Sequence, residues 1–184
     1  MTTFNANTTF VNCSESEELK FIEKARKHFE GVESTLEFYM EHGTELDGYE
    51  HEGKSRRELL EEGFNRHETK EILDIISTFE EIGSFYEYGL SFDFVEANED
   101  SDGYYRFPIC WGGPSSEIRF FEDGTIEAVY MDWFVGVGFN VSTWDSFCWL
   151  EEFFKETCSI DWDSKEWEEK SQDAHLVEEC EEEL

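Results

Sequence analysis

The sequence predicts an α+β fold, in which N-terminal helices precede a central antiparallel meander of about four strands and C-terminal helices follow it. Two observations support this prediction. Apolar residues recur first at helical spacing and then, from about residue 90, alternate with polar residues as they do in strands. The chain of 184 residues is also 17% aromatic, which supplies enough apolar surface for a core. Since there are only 2 prolines and no Gly/Ser-rich linker, we expect a single domain over residues 1–184.

The N-terminal part is expected to begin with a short non-helical segment. Residues 1–13 are uncharged and suit either an edge strand or a loose arm. Ser14 to Glu17 has capping-box spacing and predicts the start of a helix, which we expect Gly31 to interrupt. A second helix is expected to follow and to end near Gly43.

Two further helices are predicted before the strands. Ser55-Arg-Arg-Glu58 is another capping-box pattern and predicts a short helix through Glu62. A longer helix is expected at about 68–82, because isoleucines, a leucine and a phenylalanine give this segment a broad apolar face. Gly83 suits its C-terminal end.

The four strands are predicted from two-residue alternation. Their centres are Phe92, the run 105–111, the run 118–120 and the run 126–130, and Asp123-Gly124 predicts a hairpin turn between the last two. From Ser142 a helix is expected through about Thr157. Residues 164–184 are expected to form an acidic C-terminal helix or tail.

The net charge restricts the class of partner. The chain has 46 acidic residues against 14 Lys and Arg, a formal charge of -32. Such a surface is repelled by nucleic acid and by anionic membranes, so we expect neither as a direct partner. At about one charge per 1.7 Å of duplex, -32 equals the phosphate charge of roughly 16 base pairs. The expected partner is therefore a basic nucleic-acid-binding protein or effector complex.

Location and redox state are predicted from absences in the sequence. The first residues contain neither the basic nor the apolar segment of a secretory signal, and no apolar run reaches about 18 residues. The five cysteines are scattered without a Cys-x-x-Cys pair. We therefore expect reduced thiols and a cytoplasmic protein, in a host cell if a phage encodes it.

No catalytic residue, metal or cofactor is predicted. Asn98 to Gly103 resembles the first half of a calcium-binding EF-hand loop, but Ile109 occupies the position of the essential glutamate, so an acidic turn is favoured. Cys110 or a neighbouring serine would need a histidine base to act as a nucleophile, and the sequence has no histidine between His67 and His175.

Acidic side chains on helix faces are the predicted partner-binding residues. Four lie on the helix expected at about 68–82 and six lie towards the C-terminus. They are Glu71, Asp74, Glu80, Glu81, Glu151, Glu152, Asp161, Asp163, Glu168 and Glu169.

One segment of the sheet region carries a resemblance. Residues 111–136, which contain Trp-Gly-Gly-Pro-Ser-Ser-Glu-Ile-Arg-Phe and Asp-Trp-Phe-Val-Gly, resemble a segment of small acidic proteins of plasmids and phages. In overall composition the chain is also similar to phage antirestriction and anti-CRISPR proteins, many of which mimic DNA. The resemblance implies a target in a host defence complex. The matching positions are Trp111, Gly112, Gly113, Pro114, Glu117, Arg119, Asp132, Trp133 and Phe134.

Three functions remain open from the sequence. The leading hypothesis is a non-enzymatic inhibitor that mimics nucleic acid in the channel of a CRISPR effector or restriction enzyme. The second is a small enzyme or ligand-binding module that uses Arg119, Asp132 and the Gly-Gly-Pro turn. The third is an acidic adaptor that binds protein without mimicry. Arg119 is also expected to pair with Glu117 or with Asp132, which would give it a structural role.

Overall fold

A computed structural model describes residues 6–9, 15–47, 49–98, 102–133, 135–157 and 159–162. The fold is α+β, as the sequence predicts. The described residues form two compact units: a helical unit, Glu15–Leu90, and a sheet unit made of the N-terminal strand and the residues from Ser91 onward. That the two units together make one folding domain stays a prediction.

Helix α1, Glu15–His42, is continuous, so the predicted interruption at Gly31 is wrong. Phe29, Val32 and Leu36 are each at most 3% exposed, and their spacing carries the apolar face straight through the glycine. The hydroxyl of Thr35 donates to the Gly31 carbonyl over 3.1 Å. An exposed helical glycine costs about 1 kcal/mol relative to alanine. The free energy gained by burying the three apolar side chains is larger than this cost.

Helices α2, Arg56–Glu62, and α3, Arg66–Ile82, begin at reciprocal capping boxes. At α2 the Glu58 carboxylate accepts from the backbone N–H of Ser55 over 2.8 Å, as the sequence predicts. Asn65 caps α3 in the same way with Glu68. The expected helix at about 68–82 is confirmed, with a start two residues earlier at Arg66.

The helical unit is held together by aromatic side chains. Phe38 of α1 meets Phe79 of α3 with ring centroids 4.8 Å apart, and Tyr39 meets Phe85 of the short helix α4, Phe85–Tyr88, at 5.5 Å. The Tyr39 hydroxyl donates to the Gly83 carbonyl over 3.1 Å. Burial raises the pKa of Tyr39 to about 12, so this hydroxyl remains a donor throughout the neutral range.

The described residues form a sheet of six antiparallel strands, where about four were predicted. They are β1 Ala6–Thr9, β2 Asp93–Val95, β3 Tyr104–Cys110, β4 Ser115–Phe121, β5 Ile126–Asp132 and β6 Val135–Asn140, in the spatial order β1-β6-β5-β4-β3-β2. β6 was not predicted because Gly136 and Gly138 have low strand propensity. β1 lies at the edge beside β6, in agreement with the edge-strand alternative for residues 1–13.

Helix α5, Asp145–Glu156, covers one face of this sheet. The ring of Phe154 lies 4.2 Å from that of Phe92, 5.1 Å from Phe107 and 5.8 Å from Phe120, measured between centroids. This confirms the predicted helix after Ser142. The predicted acidic segment 164–184 lies outside the described residues. No helix in the described part of the chain is long and apolar enough to cross a membrane.

Candidate partner-binding surfaces

Helix α3 exposes all four of its predicted partner-binding residues, Glu71, Asp74, Glu80 and Glu81. Two of them have basic neighbours one turn earlier. His67 Nδ1 lies 3.0 Å from the Glu71 carboxylate, and Lys70 Nζ lies 3.6 Å from that of Asp74. At 100° per residue, Glu80 projects from the side of the helix opposite to Glu71. These four side chains therefore form no single uncompensated row.

The C-terminal candidates differ in availability. The Glu151 side chain is only 12% exposed and accepts from Lys155 Nζ over 2.7 Å, which places it in a local ion pair. Glu152 and Asp161 are exposed. The remaining three, Asp163, Glu168 and Glu169, lie outside the described residues.

Helix α1 carries a row of acidic side chains that the sequence analysis missed. The row, called here the α1 acidic stripe, consists of Glu30, Glu33, Glu37 and Glu41, whose spacing of three, four and four residues puts them on one face. The sequence has no Lys or Arg between Lys27 and Lys54. The spacing of these four glutamates is visible in the sequence. The stripe was missed because the predicted break at Gly31 assigned Glu30 and the other three glutamates to different helices.

The members of the stripe repel one another. Burial, followed by the charges of Glu37 and Glu30, raises the pKa of Glu33 above its ordinary value. Among the described residues, basic side chains contact the stripe at its two ends, where Arg26 Nε lies 3.7 Å from Glu30 and His42 Nε2 lies 3.8 Å from Glu41. Like charges at this spacing destabilise a helix by about 0.2–0.5 kcal/mol per pair, so the stripe is retained at a cost in stability.

The charge density of the stripe is comparable with that of one nucleic-acid strand. Glu30 and Glu41 are separated by about 16 Å along the helix axis. One strand of B-DNA has about five phosphates in that length. Four carboxylates over this distance approach the single-strand density, whereas duplex DNA would carry about twice as many charges.

The β3–β4 loop displays the first part of the motif segment. Trp111 is 70% exposed, and the Gly113–Pro114 peptide bond is cis. The Cys110 Sγ atom lies 3.1 Å from Ser116 Oγ and donates to the Pro114 carbonyl over 3.7 Å. Cys110 therefore closes the base of the loop, in agreement with the turn that the sequence analysis favoured over a nucleophile.

The β5–β6 turn displays the second part. Asp132 pairs with Val135, which leaves a two-residue turn with Trp133 at its first position; the other turn residue, Phe134, lies outside the described residues. Trp133 is 87% exposed and has φ +57°. Turns of this kind favour Asn, Asp or Gly there, and a left-handed conformation costs a bulky residue about 1–2 kcal/mol.

The loop and the turn lie at the same end of the sheet. A Cβ atom on Gly113 would lie 3.5 Å from the indole Nε1 of Trp133, so the indole passes over the backbone of the β3–β4 loop. The two exposed tryptophans thus lie at the same end of the sheet, called here the tryptophan end, which is formed by Trp111, Gly113 and Trp133.

Arg119 belongs to a row of charged residues on one sheet face. Asp93, Arg106, Arg119 and Glu127 lie directly opposite one another across β2 to β5. Arg106 donates to Asp93 over 2.6 Å, and this hydrogen bond raises the Arg106 pKa further. Arg119 contacts Glu117 over 2.6 Å, and its guanidinium lies 4.8 Å from the centre of the Tyr104 ring.

Of the two carboxylates expected to pair with Arg119, the partner is Glu117. Arg119 lies opposite Glu127 on β5, and Asp132 lies five residues beyond Glu127 on the same regular strand. Because strand side chains alternate, Asp132 projects from the other face of the sheet. Arg119 and Asp132, two of the residues on which the enzyme hypothesis depends, therefore project from opposite faces of the sheet.

A shallow cavity of about 440 Å³ lies beside the EF-hand-like segment. Asp102, Glu122 and Asp123 line it together with Ala97, Gly103 and Phe121. The backbone N–H of Thr125 donates to Asp123 and lowers the pKa of this carboxyl, as expected for the predicted hairpin turn. Within the described ranges no group of three or more His, Cys, Asp or Glu side chains is arranged to hold a metal ion.

Comparison of the chain with protein-family models, with curated proteins and with solved structures found no match.

Proposed function

We propose that this protein is a non-enzymatic inhibitor that binds the basic nucleic-acid channel of a host defence complex, a CRISPR effector or a restriction enzyme, and excludes its nucleic acid. The α1 acidic stripe carries the proposal. Its four carboxylates approach the charge density of a nucleic-acid strand and lie on a rigid helix of 28 residues. The expected site of action is the cytoplasm of the cell that contains the target.

The chemistry of the stripe favours a basic partner over solvation alone. A surface with both signs of charge interspersed is also soluble, and it avoids the like-charge repulsion that adds to burial in raising the pKa of Glu33. A basic channel built to contact phosphates would relieve this repulsion by supplying Lys and Arg between the carboxylates. Association would therefore be steered by charge and weakened by salt.

The first test identifies the partner and the mode of binding. The protein is immobilised, incubated with a lysate of the native host and eluted with duplex DNA. A guide-loaded CRISPR effector or a restriction endonuclease released by DNA is the expected result. The purified target is then mixed with labelled duplex DNA, and displacement of the DNA is measured at about 50 and 500 mM salt. The apparent affinity should fall steeply between these concentrations; an affinity that did not change would refute mimicry.

A pair of variants with equal net charge locates the surface. In the first, Glu30, Glu33, Glu37 and Glu41 are all changed to Gln. In the second, the acidic residues of α3 are neutralised instead: Glu71→Gln, Asp74→Asn, Glu80→Gln and Glu81→Gln. At about 0.5 kcal/mol for each exposed charge pair, loss of the stripe should weaken binding by about 30-fold. The control variant should lose much less. Equal losses would show that total charge, rather than the stripe, drives binding.

A further inference from the structure

We infer that the tryptophan end is a second interaction surface and that it takes the guanidinium group of an arginine from a basic protein partner. This inference does not rest on nucleic-acid mimicry, since it requires only that the partner is basic. It rests on three features of the sheet unit: the exposure of the two indoles, the backbone conformation of Trp133 and the distribution of basic residues.

The exposure of Trp111 and Trp133 is the first feature. Tryptophan is among the residues most enriched at the centres of protein interfaces, where its large flat surface contributes strongly to binding. Trp111 is 70% exposed and Trp133 is 87% exposed. Both residues lie at the same end of the sheet, where a Cβ atom on Gly113 would come within 3.5 Å of Trp133 Nε1.

The conformation of Trp133 is the second feature. A two-residue turn that needs a positive φ at its first position is satisfied without strain by Asn or Gly. At this position the chain has an almost fully exposed tryptophan with φ +57°. A residue that is unfavourable for its turn and contributes little burial is typical of a position retained for binding rather than for folding.

The distribution of basic residues is the third feature, and it specifies the partner. Between Ser91 and Trp162 the only Lys and Arg residues are Arg106, Arg119 and Lys155. Each contacts a carboxylate at 2.6 or 2.7 Å, of Asp93, Glu117 and Glu151 respectively. Within the described residues of the sheet unit, the basic side chains are therefore all engaged with carboxylates, and the ligand that complements the acidic surface around the indoles is a cation supplied by a partner.

Arginine suits this surface better than lysine. Its guanidinium is flat and weakly hydrated and stacks on an indole face, whereas the lysine ammonium is compact and strongly hydrated. A basic protein presents arginine on a segment that the acidic field attracts from a distance. The tryptophan end would then distinguish an arginine-bearing segment from a lysine-bearing segment of equal charge.

The test compares two peptides of equal length and charge, one made of arginine and the other of lysine. Labelled nona-arginine and nona-lysine are titrated with the full chain at about 150 mM salt, and binding is followed by fluorescence anisotropy. The wild type should prefer nona-arginine by at least about fivefold, from two exposed cation–π contacts. In the variant Trp111→Leu/Trp133→Asn the preference should fall below about twofold. The matched control is Tyr86→Leu, which removes an aromatic side chain 64% exposed in the helical unit and should leave the preference intact.

A stability measurement separates binding from packing. Trp133→Asn alone should leave the thermal unfolding midpoint unchanged or raise it, because Asn accepts the left-handed conformation. A fall of more than about 3 °C would show that Trp133 is a packing residue and would overturn the inference. Equal affinity of the wild type for the two peptides, or a preference that survives in the double variant, would overturn it as well. An arginine preference without displacement of nucleic acid from any target would leave this surface standing and refute only the proposed function.

Discussion

Removing the guanidinium of Arg119 should strongly destabilise the sheet unit. The Glu117 side chain is only 4% exposed and its carboxylate contacts Arg119 over 2.6 Å, while the Arg119 side chain is 25% exposed. Arg119→Met removes the cation in contact with this buried carboxylate and leaves it only the weaker interaction with the charge of Arg106. Removing one member of a buried ion pair costs about 3–5 kcal/mol, and because Arg119 is partly exposed we expect the lower end, about 3 kcal/mol.

Replacing both members should cost much less than replacing one. Glu117→Met/Arg119→Met removes the stranded charge together with its partner, and apolar replacement of a buried pair is often nearly neutral. Glu117→Met alone leaves an arginine that still reaches water, so its cost should be about 1 kcal/mol. The double-mutant cycle should therefore give a coupling energy of at least about 2 kcal/mol.

Urea denaturation monitored by tryptophan fluorescence measures the loss of stability in the sheet unit. All six tryptophans are at position 111 or later, so their emission reports on the sheet unit, whereas the far-ultraviolet dichroism is dominated by the helices. Arg106→Met is the comparison, because its hydrogen-bonded partner Asp93 is 40% exposed and the Glu117 charge acts on Arg106 less strongly than Asp93 does, so its cost should be about 1 kcal/mol. If the double variant lost as much stability as the two single variants added together, the pair would be uncoupled and the structural role of Arg119 refuted.

Two changes in α1 should increase stability. Gly31→Ala should raise the free energy of unfolding by about 0.5–1 kcal/mol, since nothing lies within 4 Å of the new Cβ. Urea denaturation followed by circular dichroism measures this change. In the control, Gly63→Ala, the glycine has φ +107°, and its replacement should lower the free energy of unfolding by about 1 kcal/mol. Glu33→Gln should raise the urea midpoint at pH 7. The raised pKa means that the folded state binds this proton more tightly, so the penalty exists above the folded pKa and disappears as the pH falls through it. The gain should shrink from pH 7 to pH 4, and a gain that did not depend on pH, or one matched by exposed Glu80→Gln, would contradict this explanation.

Features of the fold that depend on neighbouring residues were predictable from the sequence. The capping box at Ser55 and the helix end at Gly83 are local features, because in each the hydrogen-bond donor and acceptor lie within four residues of each other. The break expected at Gly31 was wrong because burial of Phe29 and Val32, which depends on distant parts of the chain, outweighs a local propensity.

The partner of Arg119 illustrates what the sequence leaves open. Glu117 and Asp132 were both plausible partners because the sequence predicts that they lie on the same strand as Arg119 or on neighbouring strands. Which carboxylate pairs with Arg119 depends on strand register. Arg119 lies opposite Glu127, and Asp132 is five residues further along the same strand. Because five is odd, the Asp132 side chain projects from the opposite face of the sheet. The exposure of Trp133 was equally beyond prediction, since an aromatic residue beside a strand is more often buried than displayed.

The arrangement of the basic residues bears on whether the charge of -32 serves more than solubility. Of the 14 Lys and Arg residues, nine fall between Lys20 and Lys27 or between Lys54 and Lys70. Solubility requires charge but gives no reason to separate the two signs, and separation adds repulsion, which together with the larger effect of burial raises the pKa of Glu33. The long stretches without a cation contain the α1 acidic stripe and Trp133. The repulsion within the stripe and the backbone conformation of Trp133 both lower the stability of the folded protein. Contact with water does not compensate for this loss, whereas a basic partner that contacts the carboxylates and the indoles offsets it.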